Sequence, residues 1–262
     1  MSFRLRFLVV ALATISVSLV GAPGAHAATT YVALGDSYAS GVGTRSYYSD
    51  SGSCYRSPYA YPVVDAARIG ATLSFKACSG AKTGDVKANQ LGTLTSSTTF
   101  VTVQVGGNDA GFSSVITECA QPGWMSNCNG AIDTAQGKIR NTLPASLDSL
   151  YSAIRAKATT AKVVVVGYPR IFNGEDCNAG TWFSPTEESR LNATADLLNS
   201  TISARAAAHG FSFVNPTSAY VGHAVCDDVE WINGLSNPVM ESYHPNRSGQ
   251  TGYANLVDDT LS

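Results

Sequence analysis

The sequence predicts an α/β fold, a parallel five-stranded sheet sandwiched between helices. Two observations predict it. Five short runs rich in β-branched and apolar residues recur along the chain, with helical patterns between most of them, and strands alternating with helices in this way build a parallel sheet covered on both faces. Two of the runs, 100–105 (FVTVQV) and 162–167 (KVVVVG), are almost continuously apolar, as strands buried on both sides must be.

The elements follow in order. Residues 31–34, 72–75, 100–105, 162–167 and 211–214 read as the strands. Ser57-Pro58 reads as an N-cap with proline at the first helical position, opening a helix after the first strand. Ile139, Leu143, Leu147, Leu150 and Ile154 step along one face of a helix. Pro144 inside that run should kink or break it. Ser184-Pro185-Thr186-Glu187 is a capping box with proline at N1. It heads the longest helical pattern, with Leu191, Ala195, Leu198 and Ile202 as its expected buried stripe and Gly210 as its stop.

The N-terminus predicts export. Arg4 and Arg6 precede a mostly apolar run, Phe7 to Val20, which is followed by small residues up to Ala25-His26-Ala27. This order is that of a secretory signal peptide spanning residues 1–27. A membrane anchor is the competing reading, but a spanning helix needs about 20 apolar residues, and this run is shorter. Residues 28–262 then form one domain, secreted and extracellular, expected to be a monomer. Without Arg4 and Arg6, 15 basic residues face 19 acidic ones. A mildly acidic surface argues against a nucleic-acid partner, and no polybasic patch suggests a stable membrane anchor.

The chain has six cysteines, all beyond residue 27, and an even count in an exported protein predicts disulfides. Six cysteines permit 15 pairings, which spacing alone does not resolve. The expected order is the sequential one: Cys54–Cys78, Cys119–Cys128 and Cys177–Cys226. Zinc is the competing use, but no pair has the C-x₂-C spacing, and no metal or cofactor is expected.

In an open parallel sheet, ligands sit beyond the carboxyl ends of the strands. After the first strand comes Gly35-Asp36-Ser37, after the second Cys78-Ser79-Gly80, and after the third Gly106-Gly107-Asn108-Asp109. Near the C-terminus stands Glu241-Ser242-Tyr243-His244-Pro245. Together these supply the parts of acyl transfer. A hydroxyl needs an adjacent base, the base an orienting partner, and the intermediate donors for its oxyanion. Of the histidines beyond residue 27, His209 sits at a helix end and His223 belongs to no motif. His244 is therefore the candidate base. Asp36 and Asp109 flank the motifs and are expected to brace the loops.

These four blocks resemble those of the SGNH (GDSL) hydrolase family, and within it the secreted actinobacterial lipases and phospholipases A1. The resemblance runs over essentially the whole chain after residue 27. It implies a three-layer α/β/α, flavodoxin-like fold and a metal-independent mechanism. It assigns Ser37 as nucleophile, His244 as general acid/base, and the Ser37 and Gly80 N–H groups with the Asn108 side chain as the oxyanion hole. Glu241 occupies the position where the family pattern places an acid. The orienting group is thus either Glu241 or the Ser242 main-chain carbonyl.

Competing motifs fail on detail. Gly41-Val42-Gly43 lacks the third glycine of a dinucleotide fingerprint, and Ala81-Lys82-Thr83 lacks the glycine of a P-loop. The G-x-S-x-G elbow is absent. Tyr47, Tyr48, Tyr55, Tyr59 and Tyr61 crowd the stretch after the nucleophile and suggest a cleft for acyl chains, with ordinary packing as the alternative. The expected substrate is a phospholipid or other glycerol ester, dispersed or at a lipid interface, cleaved by phospholipase A1 or lipase activity. A short-chain or carbohydrate esterase is the close rival, and a non-catalytic extracellular binding protein on the same fold the distant one.

Overall fold

The computed structural model describes residues 1–3 and 28–261. The signal-peptide reading rests on residues 1–27 and so falls almost wholly outside the described residues.

In chain order the elements are β1 (Thr30–Gly35), α1 (Ser37–Ser40), α2 (Tyr61–Arg68), β2 (Thr72–Phe75), α3 (Thr83–Asn89), β3 (Phe100–Gln104), α4 (Gly107–Ala110), α5 (Phe112–Cys119), α6 (Cys128–Asn141), α7 (Leu143–Lys157), β4 (Lys162–Val166), α8 (Pro185–Ala208), β5 (Ser212–Val214) and α9 (Arg247–Leu261). The five strands pair in the order β2-β1-β3-β4-β5, every pair parallel. Helices α2 and α9 pack together on one face, while α3, α7 and α8 cover the other. The result is a three-layer α/β/α sandwich. Its centre is apolar because the middle strands are buried on both sides: Val101, Val103, Val163, Val164, Val165 and Val166 have almost no exposed surface.

The long helical run breaks where proline requires it. α6 ends at Asn141 and α7 begins at Leu143, with Pro144 in its first turn, where a missing N–H costs nothing. Ile139, Leu143, Leu147, Leu150 and Ile154 are all buried. α8 starts with the capping box: Ser184 Oγ accepts from Glu187 N, and Glu187 Oε2 accepts from Ser184 N at 2.9 Å. It stops at Gly210, whose φ of +67° suits glycine.

Two local readings are corrected. α2 begins at Tyr61, not at Pro58, and Pro62 is the proline in its first turn. Ser57 instead closes a turn, its hydroxyl accepting from Tyr59 N at 2.9 Å and from Thr44 Oγ1 at 2.7 Å. In the α8 stripe, Leu198 and Ile202 are buried in the core, but Leu191 and Ala195 are only partly buried because they line a cavity. The stripe serves two masters, core below and cavity above.

The cavity stands above the sheet. A Cβ on Gly106, just past the end of β3, would lie 3.5 Å from Ile202 Cδ1 and 3.6 Å from Leu143 Cδ1. These two residues therefore mark the level of the strand ends. The part of α8 before Ile202, and α6 before Leu143, project beyond the carboxyl edge. Gln136 Nε2 donates to Thr194 Oγ1 at 2.9 Å, and Arg190 pairs with Asp133 at 2.6 Å, so the two helices run side by side in the same direction. At 1.5 Å per residue, Pro185 lies roughly 25 Å and Cys128 roughly 22 Å along the helices from that level.

The disulfides are Cys54–Cys78, Cys119–Cys128 and Cys177–Cys226, with no free cysteine among the described residues. The first joins the loops after β1 and β2, the second closes the loop between α5 and α6, and the third ties the segment before α8 to the one after β5. All three brace the carboxyl-end connections.

Candidate active site

Asp36 fixes the turn that presents Ser37. Its Oδ1 accepts from Tyr38 N at 3.0 Å and caps α1, while its Oδ2 accepts from the Tyr168 hydroxyl at 2.5 Å. Burial pushes its carboxyl up to about 7, against the pull of these two donors. Ser37 is the first residue of α1, so its N–H has no acceptor within the helix and stays available as a donor.

His244 reaches Ser37 from the far end of the chain. Its Nε2 lies 2.8 Å from Ser37 Oγ, and its Nδ1 lies 2.9 Å from the Ser242 carbonyl oxygen. A carbonyl can only accept, so Nδ1 carries the proton and Nε2 offers its lone pair to the serine hydroxyl. That is the tautomer a general base requires. Burial pushes the imidazole down to about 4, partly offset by the Ser242 carbonyl, so it is neutral at physiological pH.

Glu241 turns away from the imidazole. It is buried, with Oε1 accepting from the Tyr47 hydroxyl at 2.6 Å and Oε2 lying 3.7 Å from Arg45 Nε. Of the two candidates for the orienting group, the Ser242 carbonyl is the one in contact with His244.

The oxyanion candidates converge from the other side. Gly80 has φ +77°, while a Cβ there would meet nothing within 4 Å. Glycine is thus required by backbone conformation and not by crowding. The Gly80 N–H has no hydrogen-bond partner among the described residues. Asn108 Nδ2 spends one hydrogen on Ala81 O at 3.1 Å, which fixes the amide plane and leaves its second N–H for a ligand. Asp109 braces this junction by accepting from Thr83 N at 3.0 Å and Thr83 Oγ1 at 2.6 Å.

Several supporting residues carry no motif. Asn233 holds the His244 loop: its Nδ2 donates to Gly43 O at 2.9 Å, and its backbone exchanges bonds with Tyr243 and His244. Tyr38 donates to Tyr243 O at 2.7 Å and lays its ring 5.2 Å from the imidazole. Gln250 clamps Tyr38 O at 2.9 Å and Tyr61 N at 2.9 Å. Gly43 has φ +101°, and a Cβ there would sit 2.6 Å from Pro245 O, so the glycine lets the nucleophile loop lie against the histidine loop. The position of Tyr38 beside the nucleophile was a usable signal. For Asn233 the sequence holds none.

A narrow cavity, open at its mouth, adjoins Ser37 and Asn108. Phe112, Val115 and Ile116 of α5, Ala135 and Ile139 of α6, and Leu191, Ala195 and Leu198 of α8 make it apolar. None of Tyr47, Tyr48, Tyr55, Tyr59 and Tyr61 lines it. Tyr47 stacks edge-on against Tyr55, Tyr59 carries Arg247 on its ring face, and Tyr61 is core. The tyrosine-lined acyl cleft is therefore corrected to packing. His209 pairs with Asp148 at 3.1 Å, and His223 stacks on Trp231, both away from Ser37.

Fold and site together define an ester hydrolase on a parallel α/β sheet. The chain belongs to the GDSL-like Lipase/Acylhydrolase family, whose profile matches residues 33–251. It is 45% identical over 255 residues to a lipase from Streptomyces rimosus, covering 94% of each chain. Lipase 1 of Streptomyces coelicolor is also 45% identical, over 90% of this chain and 89% of that one. Among solved structures, the phospholipase A1 from Streptomyces albidoflavus NA297 superposes with a TM-score of 0.85 at 45% identity, covering 89% of this chain and 100% of that one.

Proposed function

We propose that this chain is a secreted, monomeric lipolytic serine esterase that releases fatty acid from glycerol esters by phospholipase A1 or lipase activity. The apolar cavity opening beside Ser37 carries the reading. An acyl chain placed there exchanges water for aliphatic and aromatic side chains, and each buried methylene gains about 0.8 kcal/mol. A polar sugar would find almost no hydrogen-bond partners on those walls, which disfavours the carbohydrate-esterase alternative. The likeness to a Streptomyces phospholipase A1 and to Streptomyces lipases supports the same class of substrate.

In this mechanism His244 Nε2 takes the Ser37 proton as Oγ attacks the ester carbonyl. The Ser242 carbonyl holds Nδ1–H throughout. Negative charge on the carbonyl oxygen is met by the N–H groups of Ser37 and Gly80 and by Asn108 Nδ2. His244 then passes its proton to the departing alcohol. Water attacks the acyl-enzyme by the same route and frees the fatty acid. No step calls on a metal.

The test is a panel of defined phospholipids and triglycerides with purified protein and a chelator present, products identified by mass. Release of fatty acid, unchanged by the chelator, is expected. Turnover of acetylated sugars with no release from any lipid would overturn the reading.

A further inference from the structure

The exposed large apolar side chains of residues 28–261 are not scattered. Tyr48, Tyr59, Trp124, Met125, Trp182, Val221, Val229, Leu235 and Val239 all lie on connections leaving the carboxyl ends of strands. Three of those connections form tips that also lack charge. Residues 120–127, 178–184 and 231–240 contain no Asp, Glu, Lys or Arg. They carry Trp124 at 85% exposure, Trp182 at 54% and Val239 at 71%.

The tips are neighbours. Asn178 Oδ1 accepts from Leu235 N at 3.1 Å, joining the second to the third. Arg190, near the start of α8, forms an ion pair with Asp133 and a hydrogen bond with Asn129 near the start of α6, which joins the helix that follows the second tip to the helix that follows the first. Trp124 and Trp182 thus stand just before the projecting ends of the two helices that wall the cavity. The first tip lies inside the Cys119–Cys128 loop and the second directly follows Cys177, so each is anchored at a disulfide. Rigid aromatics lose little entropy on insertion, and indole suits the boundary between headgroup and acyl chain.

We propose that these three tips form one docking face that seats the enzyme on a zwitterionic phospholipid surface, with Trp124 and Trp182 as its anchors. The inference rests on the lipolytic reading above. The absence of charge on the tips matches a surface of no net charge, whereas an anionic membrane would call for lysines and arginines. Seating there sets the cavity mouth against the acyl layer, so a chain can enter it without crossing water.

Ser37→Ala protein without the leader, mixed with phosphatidylcholine vesicles, should float with them and shift its tryptophan emission to the blue. Adding Trp124→Ala and Trp182→Ala should abolish flotation, while Trp231 remains as a folding reporter. With Ser37 intact, the double variant should lose about tenfold or more on vesicles and stay within about twofold on a dispersed short-chain ester. Flotation that survives the double substitution would overturn the proposal, as would binding only to phosphatidylglycerol. So would a lipid-free dimer that the substitutions dissolve, because the face would then serve a second copy. Protein that floats on phosphatidylcholine yet releases no fatty acid would support the docking face and refute the lipolytic reading. Hydrolysis of the dispersed ester without flotation would refute the docking face alone.

Discussion

The two ends of the sheet have the same strands and opposite characters. At the amino end, the connections 69–71, 94–99, 158–161 and 209–211 are short and rich in Ser, Thr, Gly and Ala. At the carboxyl end, the connections are long, disulfide-braced, and hold Ser37, Gly80, Asn108 and His244 around an apolar cavity. A parallel sheet makes this asymmetry available, because every strand aims its last residue at the same edge. One end closes the fold, and the other does chemistry.

Substitutions sharpen the contrast in order of size. Asn108→Ala removes one proposed oxyanion donor and should lower kcat by about 10²–10³ with KM little changed. Equal losses in KM alone would place Asn108 in ground-state binding instead. Glu241→Ala should cost no more than about tenfold in kcat/KM, because its carboxylate holds Tyr47 and leaves His244 to the Ser242 carbonyl. A fall near 10⁴-fold, as for loss of a triad acid, would make Glu241 the orienting group.

Asp65 of α2 is fully buried, and neither carboxylate oxygen has a hydrogen-bond partner among the described residues. Burial, with Asp258 adding repulsion, pushes it up to about 8. A carboxyl raised in the folded state favours folding while protonated, and that advantage is lost as pH climbs from its ordinary range of about 4 through 8. Asp65→Asn should therefore gain Tm relative to the parent as pH rises from 5 to 8. A constant gap across that range would show the carboxyl to be ionised throughout. At the amino end, Thr159→Trp should leave kinetics on dispersed esters and on vesicles within about twofold. A larger effect on vesicles alone would mean that the docking surface is not confined to the catalytic edge.

The sequence made the strands legible because buried parallel strands are apolar runs with few rivals. Three of the four candidate site blocks were legible because they follow those strands, while the fourth, with His244, follows no strand and was legible only from the count of histidines and the resemblance. Residues whose work depends on distant partners were not. Asn233 matters only because the fold sets Gly43 and His244 on either side of it. The cavity walls come from three helices spread over residues 112–198, and no local pattern separates a cavity-facing Leu191 from a core-facing Ile202. The tyrosines misled for the same reason. Their crowding in sequence near Ser37 says nothing of direction: Tyr47 reaches Glu241, Tyr59 lies under Arg247, Tyr61 is in the core and Tyr48 is exposed.

In the proposed mechanism the serine hydroxyl is activated by an imidazole 207 positions away. Treatment with an active-site phosphonate, followed by peptide mapping, reads that directly. One equivalent of label on Ser37 in the parent, and essentially none in folded His244→Ala, is the predicted result. Label on another residue, or undiminished labelling without His244, would contradict it.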